Sequence, residues 1–308
     1  MGQVLITGGA GFVGQNLTKS IIEETEHQVL VVDNNSANTI DQIKDWDVNI
    51  EQVDILEADK LNRLMKHCDF VVHLAASTNV TASNKTPTET IQNNIIGTYN
   101  LLSASKDNDI KHFINASTGG ALLGDVDGPV NETMAPNPQS IYGATKMAAE
   151  GLCAAFMGSF NLSTLSLRFS NIFGERSAHK ESVVAAYIKS IMYDREFQIY
   201  GDGSQIRDYY YVQDLVKMIT ACLEKRPTGV IQLGSGTPTT LNSLLDTINQ
   251  IADSSSQTIK RESMRAGEVH TTWCDISKAV DVMDSYPNTP LPEALANTYD
   301  WFRANNSQ

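Results

Sequence analysis

The sequence predicts an α/β protein: a doubly wound parallel sheet with a smaller, interleaved C-terminal lobe. Three observations predict it. Short apolar runs alternate with longer amphipathic stretches through the first half, a glycine-rich turn follows the first run, and an acid closes the second. Alternation of this kind implies right-handed crossovers and a sheet covered on both faces. In such sheets ligands bind at the carboxyl ends of the strands.

Taken in order, residues 4–7, 28–32, 50–53, 70–74, 112–116 and 163–167 read as buried strands. Residues 11–24, 57–66, 88–105 and 140–160 carry helical period. After about Asn171 the rhythm loosens, and the turns Gly201-Asp202-Gly203-Ser204 and Gly234-Ser235-Gly236-Thr237 bound shorter pieces. There is no internal repeat, low-complexity tract or clear linker. The expected division is therefore a nucleotide-binding unit over 1–172 and a substrate lobe over 173–308, with their segments interleaved.

A formal charge of −13 argues against nucleic-acid binding, whose affinity comes from clustered Lys and Arg. Cys68, Cys153, Cys222 and Cys274 are far apart and form no C-x-x-C pair, so they read as small buried hydrophobes. The six histidines lack metal-ligand spacing, and no metal site is expected. No apolar run approaches the ~18–20 residues of a membrane helix. Met1-Gly2-Gln3 leads into the first strand without a basic leader, so a soluble, cytoplasmic protein with no membrane partner is expected.

The glycines of Gly8-Gly9-Ala10-Gly11-Phe12-Val13-Gly14 have G-x-x-G-x-x-G spacing just after the first strand. Gly8 permits a tight turn, Gly11 lets backbone approach a pyrophosphate, and Gly14 lets the helix pack close to the sheet. The helix N-terminus then offers N–H groups and a positive dipole end to the phosphates. Asp33, nineteen residues beyond Gly14, ends the second strand. An acid there accepts bonds from the adenosine ribose and repels a 2′-phosphate, which favours NAD over NADP. Asp54, ending the third strand, suits the adenine amino group or serves only as a turn residue.

Tyr142 and Lys146 open a helix four residues apart, on one face, shortly after Pro136 and Pro138. A phenol of pKa ~10 is a poor base at neutral pH. A neighbouring ammonium, reinforced by the positive nicotinamide ring, stabilises the phenolate. The fifth strand ends in Asn115-Ala116-Ser117-Thr118-Gly119-Gly120, where a hydroxyl can bond the reacting oxygen. Thr118 is preferred for that role and Ser117 is the alternative.

With these motifs the chain resembles the NAD-dependent epimerase/dehydratase family, the extended short-chain dehydrogenases with a Rossmann core, over nearly its whole length. Further matches are His73-Leu74-Ala75-Ala76, Asn94-Ile95-Ile96-Gly97-Thr98 and Leu167-Arg168-Phe169-Ser170-Asn171-Ile172-Phe173-Gly174. The run Gly201 to Asp208 with Val212 and Asp214 also matches, as does Arg265-Ala266-Gly267-Glu268. The resemblance implies a cofactor site of Gly8, Gly11, Phe12, Val13, Gly14, Asp33, Asn34, Asp54, Ile55, Leu74, Ala75, Ala76, Asn94, Tyr142 and Lys146. Ala75 and Ala76 would leave room for the nicotinamide, and Asn94 would brace the active-site strands. Asn171, Arg207 and Arg265 would grip the diphosphate and ribose of a nucleotide sugar, a task that suits the planar arginine fork. A homodimer through the helices over 88–105 and 140–160 is implied as well.

Family members share hydride transfer and differ in the chemistry after it. The 4,6-dehydratases carry an Asp-Glu pair after the catalytic Thr, and decarboxylating relatives tend to carry an acid there. This chain has Gly119 and Gly120. The resemblance therefore implies a 4-epimerase for a UDP-linked sugar, either UDP-Glc/UDP-Gal or UDP-GlcNAc/UDP-GalNAc, with tightly bound NAD. A dehydratase or net oxidoreductase on the same fold, or a non-catalytic nucleotide-binding relative, are the alternatives. Thr272 stands where a bulky residue in some epimerases excludes a 2-acetamido group. Where many relatives have Val-Tyr-Gly the chain reads Leu122-Leu123-Gly124, which leaves the register around Thr118 open.

Overall fold

The computed structural model describes residues 2–126, 128–254, 257–263 and 269–305. Strands β1 (Gln3–Thr7), β2 (Gln28–Asp33), β3 (Asn49–Gln52), β4 (Phe70–His73), β5 (His112–Thr118) and β6 (Thr164–Phe169) are the six expected from sequence. Then come β7 (Asn171–Phe173), β8 (Phe197–Tyr200), β9 (Ile206–Arg207), β10 (Tyr209–Tyr211), β11 (Gly229–Leu233), β12 (Thr239–Thr240) and β13 (Ile259–Glu262). The main sheet has the order β11-β6-β5-β4-β1-β2-β3 and is parallel throughout. Strand order reverses between β1 and β4, which opens a crevice at their carboxyl ends.

Strand residues alternate between two cores, as the pleat requires. Val4, Ile6, Val31, Val72 and Ile114 share one core with Leu17 and Ile21 of the helix Phe12–Glu24 and with Leu215 and Ile219 of the helix Val212–Lys225. Leu5, Leu30, Val32, Val71 and Phe113 share the other with Leu101 and Leu102 of Gly97–Asp107 and with Cys153 and Phe156 of Ile141–Phe160. Both faces are thus covered, which is why the strands read as continuous apolar runs. The third strand departs from that reading. It is a mostly exposed edge, flanked only by β2.

Two more elements differ from expectation. The helix over 88–105 is interrupted: Pro87–Ile91 and Gly97–Asp107 are α-helical, and Gln92–Ile96 between them is a π turn that buries Asn94. A seventh strand, β11, returns from the second half to pair with β6. Its sequence signal is short, a five-residue stretch opening on Gly229 and followed by Gly234. The remaining second-half strands form small two-stranded sheets, β7 with β10, β9 with β12 and β8 with β13. Among the described residues no helix is long and apolar enough to cross a membrane.

Gly14 sets how closely the first helix approaches the sheet. A Cβ there would overlap the Gly8 carbonyl oxygen and lie 2.6 Å from Gly9 Cα, both of them backbone. Neither neighbour can rotate away, so a side chain must push the helix off the turn. Gly14→Ala is expected to cost about 1–3 kcal/mol of overpacking strain, measured by urea unfolding. An unchanged midpoint would show that the turn yields freely.

Candidate active site

Two cavities open at the carboxyl edge of the sheet. The first, about 410 Å³, is lined by Gly8, Gly11, Phe12, Val13, Gly14, Asp33, Asn34, Asp54, Ile55, Leu74, Ala75 and Ala76, among others. Gly8 has φ +67, and a Cβ on it would lie 2.8 Å from the Ala75 nitrogen, so the turn demands glycine. A Cβ on Gly11 would meet only the Gly8 oxygen, at 3.1 Å, which leaves its outer face open. No side chain caps the helix that follows. Its first-turn N–H groups are therefore available to an anion in the cavity. Asp33 Oδ2 accepts from Ala10 N (3.1 Å) and Oδ1 from Asn35 N (2.8 Å). A carboxylate has about four lone-pair sites, so capacity for two ribose hydroxyls remains. Asp54 accepts from Asn34 Nδ2 (2.9 Å) and from Leu56 N (2.9 Å) and lines the same cavity. These residues fit an adenine dinucleotide.

The second cavity, about 700 Å³, is lined by Thr118, Gly120, Ala121, Tyr142, Asn171, Arg207, Asp208 and Thr272, among others. Ser140 caps the helix Ile141–Phe160, which carries Tyr142 and Lys146, its Oγ accepting from Gly143 N (3.1 Å). Gly143 lets that helix touch the loop after β5, for a Cβ there would overlap the Ala121 carbonyl. Tyr142 and Thr118 line the same cavity. The pleat sends Ser117 the other way. Its Oγ donates to Glu150 Oε1 (2.6 Å), and Glu150 grips Arg168 through Nε (2.9 Å) and Nη2 (2.8 Å) in a buried ion pair. Leu122 and Leu123 pack into a small core with Val130 and Cys274, so on this segment the cavity wall is Gly120, Ala121 and Gly124.

Behind the wall runs a buried polar chain. Ala75 N donates to Thr7 Oγ1 (3.3 Å), which donates to His73 Nδ1 (2.8 Å). His73 Nε2 donates to Thr98 Oγ1 (2.9 Å), which donates to the Asn94 carbonyl (2.7 Å). The Thr98 bond to a carbonyl sets these directions, because a carbonyl can only accept. Asn94 Nδ2 donates to Ser77 O (3.1 Å) and Thr145 Oγ1 (3.0 Å), and Thr145 donates to Tyr142 O (2.8 Å). Asn94 thus braces the loop after β4 against the helix Ile141–Phe160. Burial, with Lys146 nearby, pushes the imidazole of His73 down to about 3, so it stays neutral.

Lys146 Nζ donates to the Ala116 carbonyl (2.8 Å) and lies 6.0 Å from the Tyr142 ring centre. The expected stabilisation of the phenolate by Lys146 includes the charge of the nicotinamide ring, and in the chain without cofactor burial acts in the opposite direction. Burial pushes Tyr142 up to about 12 and Lys146 down to about 8. Arg207 donates to the carbonyls of Ile206 (2.8 Å), His270 (3.0 Å) and Val269 (2.6 Å), pinning the 269–270 segment over the cavity. Asn171 Nδ2 donates to Asp208 O (3.3 Å). Arg265 lies outside the described residues.

Sequence reasoning missed three residues here. Asp208 is buried and accepts from Ser235 N (2.7 Å), Ser235 Oγ (2.8 Å), Gly236 N (3.0 Å) and Cys274 N (3.1 Å), stitching three segments together. Its signal was the motif it closes. Gln232 carried no signal, since its strand went unrecognised, and Lys180 reaches the first cavity from a segment, Glu175 to Lys180, whose match to the family is weak. The four cysteines are buried and unpaired, and the described residues hold no group of three His, Cys, Asp or Glu suited to a metal.

The depressed Lys146 ammonium has a consequence for stability. Its ordinary value is 10.5 and its folded value about 8. Below pH 8 both states are charged and burial of the ammonium is a full cost. Between the two values the unfolded chain binds more protons, so this contribution to stability rises with pH. Lys146→Met is expected to flatten that rise in urea midpoints taken across the window. An equal rise in the variant would assign it to another group.

The profile of the NAD dependent epimerase/dehydratase family matches residues 4–234. A putative UDP-glucose 4-epimerase of Methanocaldococcus jannaschii is 30% identical, covering 98% of this chain and 99% of the relative. The structure of UDP-glucose 4-epimerase with UDP-glucose from Thermotoga maritima superposes with a TM-score of 0.93 at 31% identity, over 99% of this chain and 100% of that one. The Thermus thermophilus UDP-glucose 4-epimerase complex with NAD gives 0.92 at 27% identity, over 98% and 99%. With the glycine cradle, Asp33 and the Tyr142–Lys146 pair already in place, the chain belongs to the NAD-dependent epimerase/dehydratase family of enzymes, and NAD is its cofactor.

Proposed function

We propose that the protein is a nucleotide-sugar 4-epimerase acting on UDP-Glc/UDP-Gal or UDP-GlcNAc/UDP-GalNAc. One observation carries this reading: no acid follows Thr118, and the side chains of Gln232 and Thr272 crowd the space where one would stand. A Cβ on Gly119 would overlap the Gln232 amide, and a Cβ on Gly120 would lie 3.2 Å from Thr272. Among the described lining residues the only carboxylate is Asp208, and its oxygens already accept four bonds. The chemistry supported is oxidation followed by reduction.

Bound NAD supplies the acceptor and donor for the C4 hydrogen. On this reading Tyr142 takes the proton of the sugar 4-hydroxyl and later returns it, while Thr118 Oγ1 bonds the same oxygen. Burial keeps the phenol protonated at rest. The charges of Lys146 and of the cofactor ring offset that burial during the reaction. Asn171 and the segment held by Arg207 anchor the nucleotide diphosphate, about which the 4-keto sugar turns to present its other face. The protein contributes orientation and charge.

The exposed apolar side chains on the helices over 87–107 and 141–160 support a homodimer. Tyr99 is 48% and Phe160 54% exposed, with Phe156 between them at ring separations of 6.2 and 5.1 Å. An exposed apolar patch of this kind suits a partner surface.

Purified protein given UDP-GlcNAc or UDP-glucose without added NAD is expected to yield a new peak of unchanged mass. A product lighter by one water would replace the reading with a dehydratase. Tyr142→Phe is expected to abolish turnover and leave the unfolding midpoint intact; a fully active variant would sink the assignment. Thr272→Tyr is expected to suppress the N-acetyl substrates selectively, and unchanged handling of them would refute that role. Tyr99→Glu is expected to sediment as a monomer, whereas a wild type that is itself monomeric would overturn the dimer.

A further inference from the structure

Lys180 is not among the residues that line the cavity of Thr118 and Tyr142. It comes from the segment after β7, yet it lines the cofactor cavity together with Gly11, Phe12 and Val13. That segment is fastened on both sides. Lys189 of the helix Val183–Met192 donates to the carbonyls of Ala178 (2.9 Å) and Lys180 (2.8 Å), and Lys180 N donates to Ser177 O (2.8 Å). Asn16 of the first helix donates to Glu175 O (3.0 Å), and the Arg176 guanidinium lies 4.9 Å over the Trp46 ring. The backbone of Lys180 is therefore held against the nucleotide-binding unit.

The side chain is half-buried, and burial alone pushes its ammonium below the ordinary value. No carboxylate among the described residues forms an ion pair with it. Asp33 and Asp54, which share the cavity, accept from backbone N–H groups and Asn34, and neither forms an ion pair with Lys180. A desolvated cation without a counter-ion is costly. On the same cavity the uncapped first turn of the helix Phe12–Glu24 adds a second positive element. Two positive elements from different lobes thus line one cavity, and the anionic part of a dinucleotide is its diphosphate.

We propose that Lys180 is a cofactor-binding residue that pairs with the NAD diphosphate from the second lobe, so that cofactor retention depends on the 174–182 segment. The proposal rests on the cofactor and holds whichever sugar reaction the enzyme performs. The test compares wild type, Lys180→Met and Lys180→Arg for NAD retained per chain after purification, and for ADP affinity at several salt concentrations. Lys180→Met is expected to retain less NAD and to bind ADP about tenfold more weakly, with a flatter salt dependence. Lys180→Arg is expected to keep both near wild type. ADP affinity unchanged in Lys180→Met overturns the proposal. A weaker affinity with the wild-type salt dependence overturns it equally, since the loss would then not come from the charge.

Discussion

The buried imidazole of His73 is the constraint on which the site depends. Its two nitrogens can be satisfied only by Thr7 on one side and Thr98 on the other. Those bonds fix the separation of β1, β4 and the helix Gly97–Asp107 at the reversal of the sheet. A polar ring left unpaired at that depth would cost more than most single contacts contribute. From Thr98 the same chain reaches Asn94 and Thr145, and Thr145 holds the first turn of the helix Ile141–Phe160. The crevice that admits the cofactor and the helix that carries Tyr142 are therefore positioned by one network. The π turn belongs to it, since its wider coil buries Asn94 where it reaches Ser77 and Thr145.

Chemistry on the substrate side is shaped by volume more than by charge. Gly119 and Gly120 follow Thr118 without a side chain, and Gln232 and Thr272 occupy the adjoining space. Gln232 is itself fixed, donating to Arg168 O (3.0 Å) and Cys274 Sγ (3.0 Å). Arg168 is locked to Glu150, and Glu150 takes the hydroxyl of Ser117. The residue beside the preferred catalytic threonine is thus committed to a buried ion pair.

Much of this was legible in the sequence, for physical reasons. The glycine cradle, Asp33 and the Tyr142–Lys146 pair are local: turn geometry and helical spacing fix their relative positions within a few residues. Five main-sheet strands (β1, β2, β4, β5 and β6) were legible because burial on both faces makes them apolar runs, whereas β3 was expected buried and is a mostly exposed edge. Where the Ser117 and Thr118 hydroxyls point required the pleat, which depends on register with β4 and β6. The π turn was hidden because Asn94 and Thr145 bond across a long sequence separation. Likewise β11 and Lys180 take their meaning from neighbours far along the chain.

The late arrival of β11 bears on how the molecule is made. While it is still absent, β6 ends the sheet, and the N–H and C=O groups it turns toward β11 have no strand to pair with. A nascent chain that has emerged as far as Phe169 holds the whole glycine cradle and the helix Ile141–Phe160, yet its sheet is open at one side. About sixty more residues must leave the ribosome before Gly229–Leu233 can close it. Truncated or stalled products would therefore expose a sticky flank. The second half of the chain thus supplies the strand that covers the edge left open by the first.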